Sequence, residues 1–264
     1  MACKGSSVRV RSAPPRNFVS PHFLCGLKKF QCRGGVRKAH EDGHNSRKIF
    51  AIRTFPFYNP GMLLLLRHSY TTKKPDIIQG TDNTIELSDL GRVQAANVAV
   101  RLKPFNLEYI VSSDITRAQQ TAEIVADVLN IPIKYDCRLN EYNYGTLTGH
   151  SAKELSPTTL QKFLVNPVDD FDAEPFESAF VRVGNFLESI DYDRNILAVT
   201  HSTILYLMMC YLENKTEFNV GSCWEKRRIY PTQNCDVFRI RNPESDMRIL
   251  KNKYFCKMKR QRGS

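Results

Sequence analysis

Two short strings hold the residues of this chain best placed to do chemistry: Leu65-Leu66-Arg67-His68-Ser69 and Val199-Thr200-His201-Ser202. Each is an apolar run that ends in a histidine followed by a small polar residue. Such a run reads as a buried strand that delivers a side chain to the carboxyl edge of a sheet, where open α/β folds hold their ligands. Side by side, the two strands would bring two imidazoles and a guanidinium to one spot. An arginine fork can bind two phosphoryl oxygens in parallel, and a neutral imidazole can attack phosphorus. The chemistry this set suits is that of a phosphoryl group.

The elements that must position these residues follow as an alternation. Met62–Arg67 reads as a buried strand. Ser88 is the expected N-cap of a helix whose apolar stripe is Val93, Ala96 and Val100, flanked by Ala95 and Ala99. Leu107–Ser112 is a second strand, and Ser113 or Asp114 is expected to cap a helix over Ile115–Leu129. Ile131–Tyr135 is a third strand. Helices are expected over Ala152–Val165 and Phe176–Ile190, a strand over Asn195–Thr200 and an apolar helix over Thr203–Leu212. Cys235–Ile240 and Met247–Leu250 read as a late hairpin. Strands alternating with helices predict an α/β fold of three layers, α/β/α, around a mostly parallel sheet.

The chain has 264 residues and a formal net charge of +11, enough for one domain with extensions. The positive charge sits at the ends. Before Pro60 the basic residues include Arg9, Arg11, Arg16, Lys28, Lys29, Arg33, Arg37 and Lys38 against only Glu41 and Asp42, and Lys251–Arg262 is basic again. The expected organisation is a basic extension over 1–60, a catalytic domain over 61–250 and a basic tail over 251–264. Residues 1–60 fit a transit-like leader, a disordered basic arm, or a stretch outside the working protein; the last is favoured, because Met62 opens the first core strand. No apolar run approaches the roughly 20 residues that span a bilayer, so no membrane partner is expected. The basic ends alone do not make a nucleic-acid partner, since no recognised motif accompanies them. The eight cysteines show no CxxC pairing, which points to neither a zinc site nor a disulfide framework; Cys210 reads as a core residue and a reducing, cytoplasmic setting is the default, organellar if the leader is genuine. The sequence says nothing of oligomeric state.

Two further residues join the set by position. Arg117 falls in the first turn of the helix after the second strand, where free backbone N–H groups and the helix dipole favour anions. Glu141 follows the third strand. Taken singly, each is bland: an arginine in water, a loop acid, a histidine at a strand end.

Taken in order they match a pattern, and the chain resembles the histidine phosphatase superfamily, the phosphoglycerate mutase-like phosphatases. The family's Arg-His-Gly is similar to Arg67-His68-Ser69; its Gly-x-x-Asp and Leu-Ser/Thr-x-x-Gly-x-x-Gln-Ala stretch to Gly80-Thr81-Asp82 and Leu87 through Ala95. Its Ser-Ser-x-x-x-Arg-Ala-x-Gln-Thr-Ala resembles Ser112 through Ala122, its Leu-x-Glu segment Leu139 through Gly149, and its Glu-Ser-x-x-x-x-Arg helix Glu177 through Arg182. The final Val-x-His-Gly resembles Val199-Thr200-His201-Ser202. The resemblance runs from Met62 to about Ile240. It implies a phosphoglycerate mutase-like fold and a metal- and cofactor-independent phosphomonoesterase of the histidine acid phosphatase type, acting on a phosphorylated small molecule. His68 would be the nucleophile that forms a phosphohistidine, its other ring nitrogen held as a donor by a backbone carbonyl. Arg67, Arg117 and His201 would surround the phosphoryl oxygens, and Glu141 would be the general acid and base, which calls for partial burial. Ser69, Lys74, Gly80, Tyr144 and Ser202 are the expected substrate contacts.

The chain departs from the pattern. Ser69 and Ser202 stand where glycines usually follow the histidines, Tyr70 replaces a common acid, and Lys74 stands where mutases usually have an asparagine. A serine keeps a backbone N–H donor but would be strained if the backbone required φ > 0. Mutase-like relatives carry an added basic segment with an Arg-Arg pair before the last histidine. Between Gly149 and Asn195 this chain has Lys153 and Lys162 but also Asp169, Asp170, Asp172, Glu174 and Glu177, which favours hydrolysis over mutase-type transfer. A catalytically weak member that binds phosphorylated ligands or proteins is the rival reading. The region Gln161–Phe176 is expected to cap the site and set specificity.

Overall fold

The computed structural model describes residues 61–229 and 231–240. The basic extension over 1–60, the strand expected at Met247–Leu250 and the tail over 251–264 lie outside the described residues.

The elements run β1 (Met62–Arg67), α1 (Asp89–Leu102), β2 (Tyr109–Ser112), α2 (Thr116–Leu129), β3 (Ile133–Tyr135), α3 (Pro157–Val165), α4 (Pro167–Phe171), α5 (Phe176–Glu188), β4 (Asn195–Thr200), α6 (Ser202–Glu213), α7 (Val220–Ile229) and β5 (Val237–Ile240). The sheet has five strands in the order β3-β2-β4-β1-β5. All neighbours are parallel except β1 and β5.

The pleat divides the core in two. Alternate residues of a strand point to opposite faces. Leu63 and Leu65 of β1 and Ile196 and Ala198 of β4 join α5 and α6 on one side. Met62, Leu64 and Leu66, with Leu197 and Val199, join α1 and α2 on the other. Both faces are covered, which is why β1 and β4 are continuous apolar runs rather than alternating ones. The expected three layers are present.

Several boundaries differ from the sequence reading, each for a local reason. The buried face of α1 is Gly91, Ala95, Val98, Ala99 and Leu102. Val93 and Val100, placed on the apolar stripe, are 58% and 57% exposed. The true face is also helically spaced, and it is the one that meets Ala118, Ala122 and Val125 of α2. No side chain caps α2; its N-cap is Ile115. The Ser113 hydroxyl accepts the Ile115 N–H at 3.2 Å but is otherwise engaged in the site. Helix α3 starts at Pro157, not Ala152, with the Ser156 side chain accepting the Thr159 N–H. Proline at the first helical position and serine before it set that start. The sequence reading anticipated neither α4 nor α7. Cys210 is buried as expected, and its sulfur lies 2.7 Å from that of Cys223 on α7, with no disulfide between them. Among the described residues no helix is long and apolar enough to cross a membrane.

Candidate active site

The register of the central pair decides where the chemistry sits. Arg67 of β1 is level with Thr200 of β4. The next residues, His68 and His201, therefore leave the sheet side by side, with the His68 N–H donating to the Thr200 carbonyl at 2.9 Å. Their ring centroids are 5.1 Å apart. Beyond them the chain parts to opposite faces of the sheet, from β1 toward α1 and from β4 into α6, which opens a crevice at the carboxyl edge.

A cavity of about 410 Å³ fills that crevice. Arg67, His68, Arg117, Glu141, Tyr144 and Ser202 line it. His201 is fully buried beside it as the N-cap residue of α6. Sequence positions up to 134 residues apart, from Arg67 to His201, are thus gathered by the sheet edge and two helix starts.

The two imidazoles are held by opposite nitrogens. His68 Nδ1 lies 2.8 Å from the Ser69 carbonyl, which can only accept, so this nitrogen carries the proton and Nε2 has the free lone pair. His201 Nε2 lies 2.8 Å from the Ser113 hydroxyl. That hydroxyl donates its one hydrogen to the Asn140 side-chain oxygen at 2.8 Å, an oxygen that also accepts the Asp114 N–H at 3.1 Å. Ser113 is therefore the acceptor from His201 Nε2–H, and His201 Nδ1 has no partner among the described residues. Both imidazoles are held well below the usual histidine range, first by burial and then by Arg117.

The guanidiniums are fixed through backbone oxygens. Arg67 donates Nη1 to the Thr232 carbonyl at 2.8 Å. Arg117, fully buried, donates Nη1 to the Asp82 carbonyl at 3.0 Å and Nη2 to the Gly80 carbonyl at 2.6 Å. Burial lowers Arg117 to about 10, which leaves it charged at neutral pH. The Nε of each arginine, like His201 Nδ1, is buried without a partner among the described residues. Three orphaned polar atoms in one neighbourhood are a strong sign of a site built to meet something polar.

Glu141 is 8% exposed. Its Oε1 accepts the Tyr142 N–H at 2.9 Å and its Oε2 the Thr203 N–H of α6 at 3.4 Å. Its loop is held from behind. Thr200 donates to the Leu139 carbonyl at 2.8 Å, and Arg182 donates to the Arg138 carbonyl at 2.7 Å while pairing with Glu174. Tyr144 exchanges a hydrogen bond with Thr203 at 2.7 Å, and burial pushes its phenol up to about 12, so it stays protonated. Gly145 turns the loop at φ +53°, where an added Cβ would lie 1.9 Å from the Phe171 carbonyl.

The remaining expected contacts divide. Ser202 lines the cavity at the start of α6, its hydroxyl 3.1 Å from that of Thr232. Ser69 is fully buried but faces away: its N–H donates to Thr121 Oγ1 at 3.1 Å and its hydroxyl meets Cys235 Sγ at 2.9 Å. Neither serine has positive φ, so the strain considered for them is absent. Lys74 is exposed and off the cavity wall; Lys73 lines it instead. Gly80 does not line the cavity either. It is the left-handed residue, φ +48°, whose carbonyl holds Arg117. The segment expected as the cap also lies elsewhere. Phe163, Phe171 and Phe176 pack against one another beneath Tyr142 and Tyr144, because their rings must be buried. The outer wall is formed instead by Tyr70, Thr71, Lys73 and residues 75–79, with Ala152, Lys153, Leu155, Leu160 and Arg227. The acids Asp169, Asp170, Asp172, Glu174 and Glu177 do not line the cavity. The sequence reading missed Thr203, Arg227, Thr232 and Asn234; Thr121 was present in a quoted motif without a role. Among the described residues no group of three or more His, Cys, Asp or Glu is arranged to hold a metal ion.

The family model of the histidine phosphatase superfamily (branch 1) matches residues 63–249. The chain belongs to that superfamily. It is 30% identical over 190 residues to the protein named "Probable phosphoglycerate mutase GpmB" of Escherichia coli O1:K1 / APEC, covering 69% of this chain and 85% of that protein. The fold is similar to that of a mycobacterial glucosyl-3-phosphoglycerate phosphatase, with TM-score 0.56, 22% identity and coverage of 68% of this chain and 89% of that one. It is also similar to the alpha-ribazole phosphatase of Shigella flexneri, with TM-score 0.55, 23% identity and the same coverage of 68% and 89%. The superfamily holds phosphatases and mutases built on this mixed, mostly parallel sheet.

Proposed function

We propose that this protein is a metal-independent phosphomonoester hydrolase that works through a phosphohistidine on His68. The observation that carries the reading is the tie of His68 Nδ1 to the Ser69 carbonyl. It leaves Nε2 as a lone-pair nucleophile on a cavity shared with Arg67, Arg117 and Glu141. The depressed basicity of His68 keeps it neutral and ready to attack at pH 7.

In this reading Nε2 attacks phosphorus, the P–O bond to the alcohol breaks, and Glu141 supplies the proton the leaving oxygen takes. Glu141 then takes a proton from the water that displaces the phosphoryl group from His68. The charge on the phosphoryl oxygens is balanced by Arg67, Arg117 and the start of α6 at Ser202 and Thr203. His201 can serve an anionic oxygen only from Nδ1. It must take up a proton there, or accept one from a phosphoryl hydroxyl, because its other nitrogen is already tied.

The outer wall bears on hydrolysis against mutase-type transfer. Pro75, Ile77, Ile78, Ala152, Leu155 and Leu160 give it an apolar side, with Lys73, Lys153 and Arg227 on it as well. A small, doubly phosphorylated acid has nothing to place against six apolar residues, whereas an alcohol with an apolar portion does. The name of the Escherichia coli relative favours mutase-type transfer as the second reading. The test is p-nitrophenyl phosphate hydrolysis in EDTA, with His68→Ala alongside. The expected result is turnover in the wild type and none above background in the variant. Turnover that EDTA abolishes and a divalent ion restores, or hydrolysis undiminished in His68→Ala, would refute the proposal.

A further inference from the structure

The segment between α7 and β5 approaches the nucleophile from behind, and one side chain on it does more than line the cavity. Asn234 Nδ2 lies 2.9 Å from the carbonyl of His68 and 3.1 Å from the carbonyl of Ser69. Both neighbours are carbonyl oxygens, so the atom between them must be the NH2 group. Each of its two hydrogens is thereby assigned. The amide has no donor left for a phosphoryl oxygen, although Asn234 is on the cavity wall.

The Ser69 carbonyl is the same oxygen that accepts His68 Nδ1–H at 2.8 Å. Asn234 thus grips the acceptor that sets the nucleophile's tautomer, and it grips the carbonyl of the nucleophile itself. The grip is anchored at its other end. The Asn234 carbonyl accepts Gln94 Nε2–H at 3.0 Å, and Gln94 Oε1 accepts the Tyr70 N–H at 3.1 Å. The ring of contacts runs from α1 through residue 234 to residues 68–70. On the far side, Thr121 Oγ1 accepts the Ser69 N–H at 3.1 Å while donating to the Arg117 carbonyl at 2.7 Å. The 68–69 peptide is therefore held at the His68 carbonyl by Asn234 and at the Ser69 N–H by Thr121, and the 69–70 peptide at the Ser69 carbonyl by Asn234 and at the Tyr70 N–H by Gln94.

We infer that Asn234 is a positioning residue: it fixes the Ser69 carbonyl so that His68 carries its proton on Nδ1 and presents Nε2 to phosphorus. The inference rests on the proposed role of His68 for its effect on rate, but not for its effect on the tautomer. Without the amide, the carbonyl gains freedom to rotate and the Nδ1–H bond loses its preset geometry. Nucleophile misplacement of this kind costs on the order of 10- to 100-fold in rate.

The test uses the full chain with Asn234→Ala and Asn234→Asp, each first shown to be folded by circular dichroism. Two readouts are taken: kcat and KM on p-nitrophenyl phosphate, and the ¹⁵N shifts of the His68 ring. The expected result for Asn234→Ala is a 10- to 100-fold fall in kcat, KM within about threefold of wild type, and a His68 ring that shifts toward a mixture of tautomers. Asn234→Asp should be worse near neutral pH, where a carboxylate faces two carbonyls, and should regain activity relative to Asn234→Ala on acidification, when its carboxyl can donate one hydrogen. A kcat within twofold of wild type, or a His68 ring unchanged in tautomer, overturns the inference. If the wild type itself shows no turnover, the reading of function fails and the ring shifts alone decide the role of Asn234.

Discussion

The ends of β1 and β4 look alike in sequence and are opposite in chemistry. Both are apolar strands, both are followed at once by a buried histidine, and both histidines are followed by serine. His68 is tied at Nδ1 by a carbonyl and keeps a lone pair on Nε2. His201 is tied at Nε2 by a hydroxyl whose only hydrogen is already given to Asn140, and it keeps Nδ1. In the proposed mechanism the first arrangement suits a nucleophile, and the second an imidazole that meets an anion's oxygen only by gaining a proton at Nδ1 or by accepting one from a phosphoryl hydroxyl. The serines repeat the contrast: Ser69 turns into the protein toward Thr121 and Cys235, and Ser202 opens a helix onto the cavity. What separates the two ends is the second neighbour of each ring.

The comparison can be tested at each of its parts. In the proposed mechanism Glu141 acts on the leaving alcohol in the first step and on water in the second, so its discrimination between leaving groups should show in the first step, which kcat/KM reports. In Glu141→Gln, kcat/KM on alkyl phosphates is expected to fall by about 10²–10⁴, and on p-nitrophenyl phosphate, whose leaving group needs little protonation, by less than tenfold. Equal losses on both would remove Glu141 from the acid role. His201 should show no such discrimination. His201→Ala is expected to lower kcat by about 10²–10³ on both kinds of ester while His68 still becomes phosphorylated. Ser113→Ala, which removes the acceptor that fixes the His201 tautomer together with its bonds to Asn140 and the Ile115 N–H, should cost about tenfold. A larger effect from Ser113 than from His201 would contradict that order.

The smallest effect is on stability. Both histidines have folded-state values well below 6.5, with burial the leading cause. As pH falls below about 6.5 the unfolded chain binds protons that the folded one does not, so stability declines with falling pH by up to about 1.4 kcal/mol per unit for each group. Urea midpoints measured between pH 5 and 7.5 should fall on the acid side, and His201→Gln should flatten the slope. A midpoint constant across that range would mean that the rings are not held neutral by the fold.

Much of this was legible because the physics is local. β1 and β4 are apolar on both faces and end where the polar residues begin, so their bounds and the two histidines could be read directly. Arg117 at a helix start and Glu141 after a strand followed from the same alternation. Other features depend on packing. Val93 and Ala95 are both plausible on a helix stripe, and only the small residues of α2 choose between them. Lys73 and Lys74 are neighbours with the same chemistry, and only the loop path puts the first on the wall. The start of α3 carried a signal that was passed over, a serine before a proline. Asn234 and Thr232 carried none: a loop amide and a loop hydroxyl become part of the site only because β5 lies next to β1.

The account's central claim is that His68 bears the phosphoryl group on Nε2. The most direct measurement is mass spectrometry and ³¹P NMR of enzyme quenched under alkaline, denaturing conditions during steady-state turnover of p-nitrophenyl phosphate in EDTA. The expected result is one phosphoryl group per chain, on His68, attached at Nε2. A phosphoryl group on His201, attachment at Nδ1, or continued turnover with no phosphorylated histidine would contradict it.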